Sequence, residues 1–190
     1  MKRRQVLAAA AMLSLASAAF AQAGGKPVRI VTSFSPGGPV DFVARTLAEQ
    51  LGRELKRPVI VDNKPGANGA LGALETLRSE ADGSTIWITS VGAAAINPSL
   101  VEKSPYDTQR DFAPVSLVAN NVEVLVVGAK DPAADAAEFV KTAKASKEST
   151  PMASSGSGSI PHLALIQLEE ATGARFLHVP YKGMAPAFTD

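Results

Sequence analysis

Residues 28 to 89 alternate between β-branched runs and segments with a helical apolar period, and this order constrains the fold more than any other feature of the chain. Val28 to Phe34 (VRIVTSF) is short and β-branched, which reads as a strand. Ser35-Pro36-Gly37-Gly38-Pro39 interrupts it. Val40, Val43, Ala44, Leu47, Leu51 and Leu55 then recur at the spacing of one helix face. Val59-Ile60-Val61 is a second strand, ended by Asp62-Asn63-Lys64-Pro65-Gly66. Gly69 to Leu77 is a second helix, closed by Ala81-Asp82-Gly83, and Thr85 to Thr89 is a third strand. Strand, helix, strand, helix, strand predicts the α/β class with a parallel sheet.

Beyond Pro98 the pattern loosens. Asn97-Pro98 and Ser104-Pro105-Tyr106-Asp107 read as turns. Phe112 to Ala119 and Val122 to Ala129 read as two strands crossing to a second lobe. Ala133 to Ala145 is a helix and Met152 to Ser154 a short strand. Ser155-Gly156-Ser157-Gly158-Ser159 forms a loop, Pro161 to Ala171 a helix closed by Gly173, and Phe176 to Val179 a further strand. Gly183 to Asp190 reads as a loop and the opening turn of a helix, with Pro186 in a permitted early position. The second α/β unit has too few strands to close a sheet, so the expectation is a C-terminally truncated piece of a larger protein. The expected division is lobe one at 22–120 and an incomplete lobe two at 121–190.

The first 21 residues are expected to be absent from the mature fold. Lys2, Arg3 and Arg4 precede an apolar run from Val6 to Ala19, and Ala19-Phe20-Ala21 is an A-x-A cleavage signal. This predicts a secretory signal peptide and a periplasmic product. The run is too short to span a bilayer well, and Arg3-Arg4 loosely resembles a twin-arginine signal. The whole chain carries 19 Lys+Arg against 18 Asp+Glu. Cleavage after Ala21 removes three cations and leaves the acids in excess. Nucleic acid is therefore not an expected partner. Cysteine is absent, which excludes a disulfide framework, a thiolate zinc site and a cysteine nucleophile.

Loops at the C-terminal ends of strands are where open α/β sheets bind ligands. Ser35-Pro36-Gly37-Gly38 lies at a helix start, where free N–H groups favour an anion, and it is not a dinucleotide fingerprint. Asp41 follows in the first helical turn. Ser155 to Ser159 repeats the arrangement ahead of His162. Asn63 to Gly69 and Ser90-Val91-Gly92 are further edges of the same crevice, although a plain left-handed turn accounts for the Asn63 loop nearly as well. Two anion-favouring loops, one per lobe, suit a ligand held between lobes. A catalytic reading has little support. His162 and His178 lie outside any metal spacing, and no serine sits in a nucleophile elbow. Neither a metal nor a cofactor is expected. A hydrolase pairing Ser157 with His162 is conceivable but lacks a third, orienting group.

These motifs, taken in order, resemble the substrate-binding proteins of tripartite tricarboxylate transporters, the Bug family. Pro36-Gly37-Gly38-Pro39-Val40-Asp41-Phe42-Val43-Ala44-Arg45 is similar to its PGGxxDxxAR signature. Val61 to Gly69 resembles its V-E-N-[RK]-P-G-A-x-G loop, with Asp62 in the acidic position. Ala81-Asp82-Gly83, Tyr106-Asp107 with Asp111 to Val115, Gly156 to Ser159 with His162-Leu163-Ala164, and His178 to Gly183 match further motifs. Ser84 departs from the pattern, where an aromatic is common.

The resemblance implies a two-lobed, type II-like periplasmic binding-protein fold. It implies a small carboxylate captured between the lobes by loop backbone groups and bridging waters, and passed to the transporter's membrane subunits. A binding protein presenting its ligand to a sensor kinase has the same sequence signature. Phe34, Gly37, Gly38, Asp41 and Ser90 are expected on the lobe-one side of the site, and Ser157, Gly158, Ser159 and His162 on the other. Asp41 is expected to anchor its loop or to orient a bridging water. A side chain at Gly38 is expected to block the backbone's approach to ligand.

Overall fold

The computed structural model describes residues 25–190; the signal peptide expected at 1–21 lies outside the described residues. Strand β1 (Val28–Thr32) leads through the Ser35–Gly38 turn into helix α1 (Pro39–Leu55). Strand β2 (Val59–Asn63), a 3-10 turn (Ala67–Gly69), helix α2 (Ala70–Leu77) and strand β3 (Thr85–Ile88) follow. The strands form a parallel sheet in the order β2-β1-β3, with Val28 opposite Val59 and Arg29 opposite Thr85. Sequence order places β1 first, yet it lies central, buried on both faces. Its burial matches its unbroken apolar run.

Proline opens α1, where its missing N–H costs nothing, and Lys56 ends it in a left-handed conformation. The apolar stripe of α1 packs Ala44 and Ala48 on Ile30 and Ile88, with Val40, Val43, Leu47 and Leu51 around them. The opposite face carries α2 and an aromatic cluster. Trp87 neighbours Ile88 in β3 and so points the other way. It lies 4.7 Å from the Phe112 ring and 5.8 Å, edge-on, from Tyr106. Ala70, Ala73 and Tyr106 are the buried members of that cluster. Each large apolar side chain so buried contributes about 1.5–3 kcal/mol.

A π-helical turn (Gly92–Ile96) runs into α3 (Asn97–Leu100), and α4 (Thr108–Asp111) follows with Asp107 as its cap. Here the structure corrects the sequence reading. Residues 112–129 contain no strand, and Val115 and Val124 stand 85% and 73% exposed. The alternation of apolar residues is real. Among the described residues, however, no strand lies alongside to accept a ladder, and a lone extended segment is not a sheet.

Helix α5 (Ala136–Ala145) starts at Asp135, whose carboxylate accepts the Glu138 N–H at 2.8 Å. A second parallel pair joins β4 (Thr150–Ser154) to β5 (Phe176–Pro180), linked by α6 (Ile160–Thr172). Phe139 of α5 stacks on Phe176 of β5, with centroids 5.9 Å apart. A closing turn, α7 (Met184–Ala187), holds Pro186 where the sequence placed it. No helix among the described residues is long and apolar enough to cross a membrane.

Candidate functional site

Both sheets are parallel, so the C-terminal ends of their strands each open on one side, and the two sides meet at a cleft of about 490 Å³. Ser33 and Phe34 after β1, residues 66–70 after β2, residues 155–157 after β4 and residues 180–182 after β5 line it. The loops touch across it. Ser35 donates both its N–H (3.2 Å) and its hydroxyl (2.6 Å) to the carbonyl of Lys182. Lys182 is the one charged residue among the described residues that line the cleft.

Asp41 explains how the first loop is held. Its side chain is 3% exposed. One carboxylate oxygen accepts the Gly37 N–H and the Arg45 Nε–H, both at 2.9 Å, and the other accepts the Asn63 amide at 2.8 Å. Asn63 also donates to the carbonyl of Phe34. Burial pushes the Asp41 carboxyl up, but Arg45, the Gly37 N–H and Asn63 together outweigh it and hold the group below the usual carboxylate range. The structure therefore gives Asp41 the loop-anchoring role, with both carboxylate oxygens in hydrogen bonds to the protein. The backbone demand for glycine in this loop falls on Gly37, at φ +80°. Gly38 has φ −84°, and a Cβ there makes only ordinary contact, 3.4 Å from the Ser35 carbonyl.

On the opposite side, Ser159 caps α6 by accepting the His162 N–H at 3.4 Å. The Gly158 N–H donates to His162 Nδ1 at 3.0 Å. His162 stacks face to face on His178, with centroids 3.9 Å apart. His178 Nε2 lies 2.6 Å from the hydroxyl of buried Ser154, whose oxygen also accepts the Gly156 N–H. The two histidines, distant in sequence, thus brace the 155–159 loop jointly. No hydrogen bond joins Ser157 to His162 among the described residues, and no group of three His, Cys, Asp or Glu there is placed to hold a metal.

Of the residues expected to line the site, Phe34 and Ser157 line the cleft directly. Gly37, Gly38, Asp41, Gly158, Ser159 and His162 lie in the neighbouring loops and helix starts and do not line it, and Ser90 Oγ sits beside Gly92. The loop at 66–69, Tyr181 and Lys182 also face the cleft. Their signals were present in the PGANG and YKG motifs, but turn chemistry and surface exposure explain such residues equally well.

Burial, and then the neighbouring His162, lower the His178 pKa below its ordinary value. The unfolded chain then binds the proton more tightly, so stability falls as pH drops below about 6.5 and levels off below the folded value. The thermal midpoint is expected to decline between pH 7 and pH 5, and His178→Asn should flatten that decline. An unchanged slope in the variant would remove His178 as its cause.

Comparison with known proteins places this architecture. Residues 43–190 match the tripartite tricarboxylate transporter family receptor. The UPF0065 protein in the tcbD-tcbE intergenic region of Pseudomonas sp. (strain P51) is 35% identical over 192 residues, covering 99% of this chain and 57% of its own length. A solved structure described as a periplasmic transporter aligns with a TM-score of 0.83 at 39% identity, over 87% of this chain and 56% of that one. R. palustris Rpa4515 with adipate aligns with a TM-score of 0.82 at 30% identity, over 86% and 55% of the two chains. Two parallel sheets facing one cleft, with the structural likeness to these neighbours, define an α/β periplasmic binding-protein fold. The chain belongs to the tripartite tricarboxylate transporter receptor family, and it spans about half the length of the relatives it matches.

Proposed function

We propose that this chain is the solute-capturing part of a tripartite tricarboxylate transporter. It is exported to the periplasm by residues 1–21, traps a small carboxylate between lobes at 22–120 and 121–190, and hands it to the membrane subunits. It performs no chemistry on its ligand. The observation that carries this reading is the cleft at the strand ends of both sheets, with Lys182 as its one charged lining residue. Among the described residues no carboxylate forms an ion pair with Lys182, and an unpaired cation favours an anion. The resemblance to Rpa4515, solved with adipate, supports the same ligand class. Phe34 and Ser157 contact the ligand. Gly37, Gly38, Ser90, Gly158 and Ser159 form and cap the loops around it, while Asp41 and His162 hold those loops.

A thermal melt followed through Trp87 tests the reading. The Trp87 indole N–H donates to Ser33, which lines the cleft, so the reporter adjoins the site. A panel of mono-, di- and tricarboxylates is added in turn. An acid at a hundred times its Kd stabilises by about 2.7 kcal/mol, which raises the midpoint by about 5–10 °C for a chain of this size. A midpoint unmoved by every acid would overturn the proposal.

A further inference from the structure

Asn68 sits in the loop between β2 and α2 with φ 45° and ψ 43°, and it lines the cleft. Asn97 supports this loop from below by donating to the Ala67 carbonyl at 3.2 Å. Both polar ends of the Asn68 amide, Oδ1 and Nδ2, are buried and have no hydrogen-bond partner among the described residues. Thr89 and Thr108 also have buried, unpartnered hydroxyls, but neither lines the cleft.

The room around the amide is bounded by glycines from both sheets. A Cβ on Gly92 or Gly156 would stand 3.7 Å from Oδ1, and one on Gly158 would stand 3.4 Å from Nδ2. The amide therefore lies where the loops of the two sheets converge, and it needs a partner that the described residues do not supply. A primary amide offers donors on one atom and an acceptor on the other. A bare carboxylate offers acceptors only. It satisfies Nδ2 but sets its charge against Oδ1. A carboxylate with a hydrogen-bond donor on the adjacent carbon satisfies both.

We infer that Asn68 reads a hydrogen-bond donor beside the ligand's carboxylate, so that 2-hydroxy- or 2-amino-acids bind in preference to their unsubstituted parents. The inference rests on the carboxylate-capture reading above and narrows its ligand class.

Calorimetric titration of the chain with matched acids tests it: succinate, malate and aspartate, then glutarate, 2-hydroxyglutarate and glutamate, then tricarballylate and citrate. In at least one set the substituted acid is expected to bind about tenfold or more tighter than its parent, because a site built for a hydrogen bond rejects the analogue lacking it. Asn68→Gly, which accepts the left-handed backbone, should reduce that ratio to below about threefold, with the larger loss falling on the substituted acid. Asn68→Asp keeps an acceptor and adds charge, so it should penalise hydroxy-acids more than amino-acids, and the two sources of the donor are told apart. Equal affinities within every set, or one common loss for all acids in Asn68→Gly, would overturn the inference while leaving carboxylate capture standing. Binding of no acid at all would overturn both.

Discussion

Replacing Asp41 by alanine is expected to cost about 3–5 kcal/mol of folding stability, the range for breaking a buried charge-assisted network. The carboxylate ties together the Gly37 N–H of the first loop, Arg45 one turn along α1, and the Asn63 amide at the end of β2, and Arg45 also donates to the Asn63 side-chain carbonyl at 3.2 Å. Alanine leaves the Gly37 N–H and the Asn63 amide without this acceptor, together with a cavity. Arg45, 55% exposed, is rehydrated at little cost, so the loss comes mainly from the loop side. Asp41→Asn preserves volume but cannot accept from all three donors, and its cost should be about half. Denaturant unfolding of the three proteins measures the difference. A loss below about 1 kcal/mol in Asp41→Ala would show that the loop is held by something else. The same carboxylate has its pKa lowered on folding, so its contribution is present at neutral pH. It is lost as pH falls from the ordinary carboxylate value of about 4 through the folded value.

Gly69→Ala is expected to destabilise by a similar amount, for a steric reason. A Cβ at residue 69 would come 2.3 Å from the Ala93 Cβ and 3.2 Å from the Ser33 Cβ, at φ +95°. Both neighbours are short side chains fixed to buried backbone, so neither can swing away. Overpacking costs about 1–3 kcal/mol and the left-handed backbone about 1–2 kcal/mol more. Gly83→Ala is the control. Its φ is +78°, yet nothing lies within 4 Å of the added carbon, so only the backbone cost of about 1–2 kcal/mol remains. Equal midpoints for the two variants would show that the packing between residues 69 and 93 has no energetic weight.

What the sequence reveals here follows from how local each signal is. The βαβαβ unit was legible because every element carries its own period, and the helix ends carry their own proline and glycine stops. The loop role of Asp41 was legible for the same reason, since its partner Arg45 is one helical turn away. The histidine stack was not. His162 is read at a helix start and His178 in a strand, and only the pairing of β4 with β5 brings the rings together. Residues 112–129 show the converse failure. Their composition is that of strands, but a strand is a relation between two segments, and composition describes only one of them. Asn68 lay between these cases. The PGANG spelling announced a left-handed turn, whereas the unpartnered amide is visible only once Gly156 and Gly158 arrive from the other sheet.

The bond from Ser35 to the Lys182 carbonyl has a consequence for the order in which the molecule is assembled. It joins residues 147 apart in the chain, whereas the three-stranded sheet closes within residues 28 to 88. A chain emerging from its N-terminus can complete the first sheet while the second is still unmade, since nearby pairings form before distant ones. The clasp over the cleft must wait until residue 182 has arrived. The cleft is thus completed only after the first sheet, and until then the first loop stays open to water.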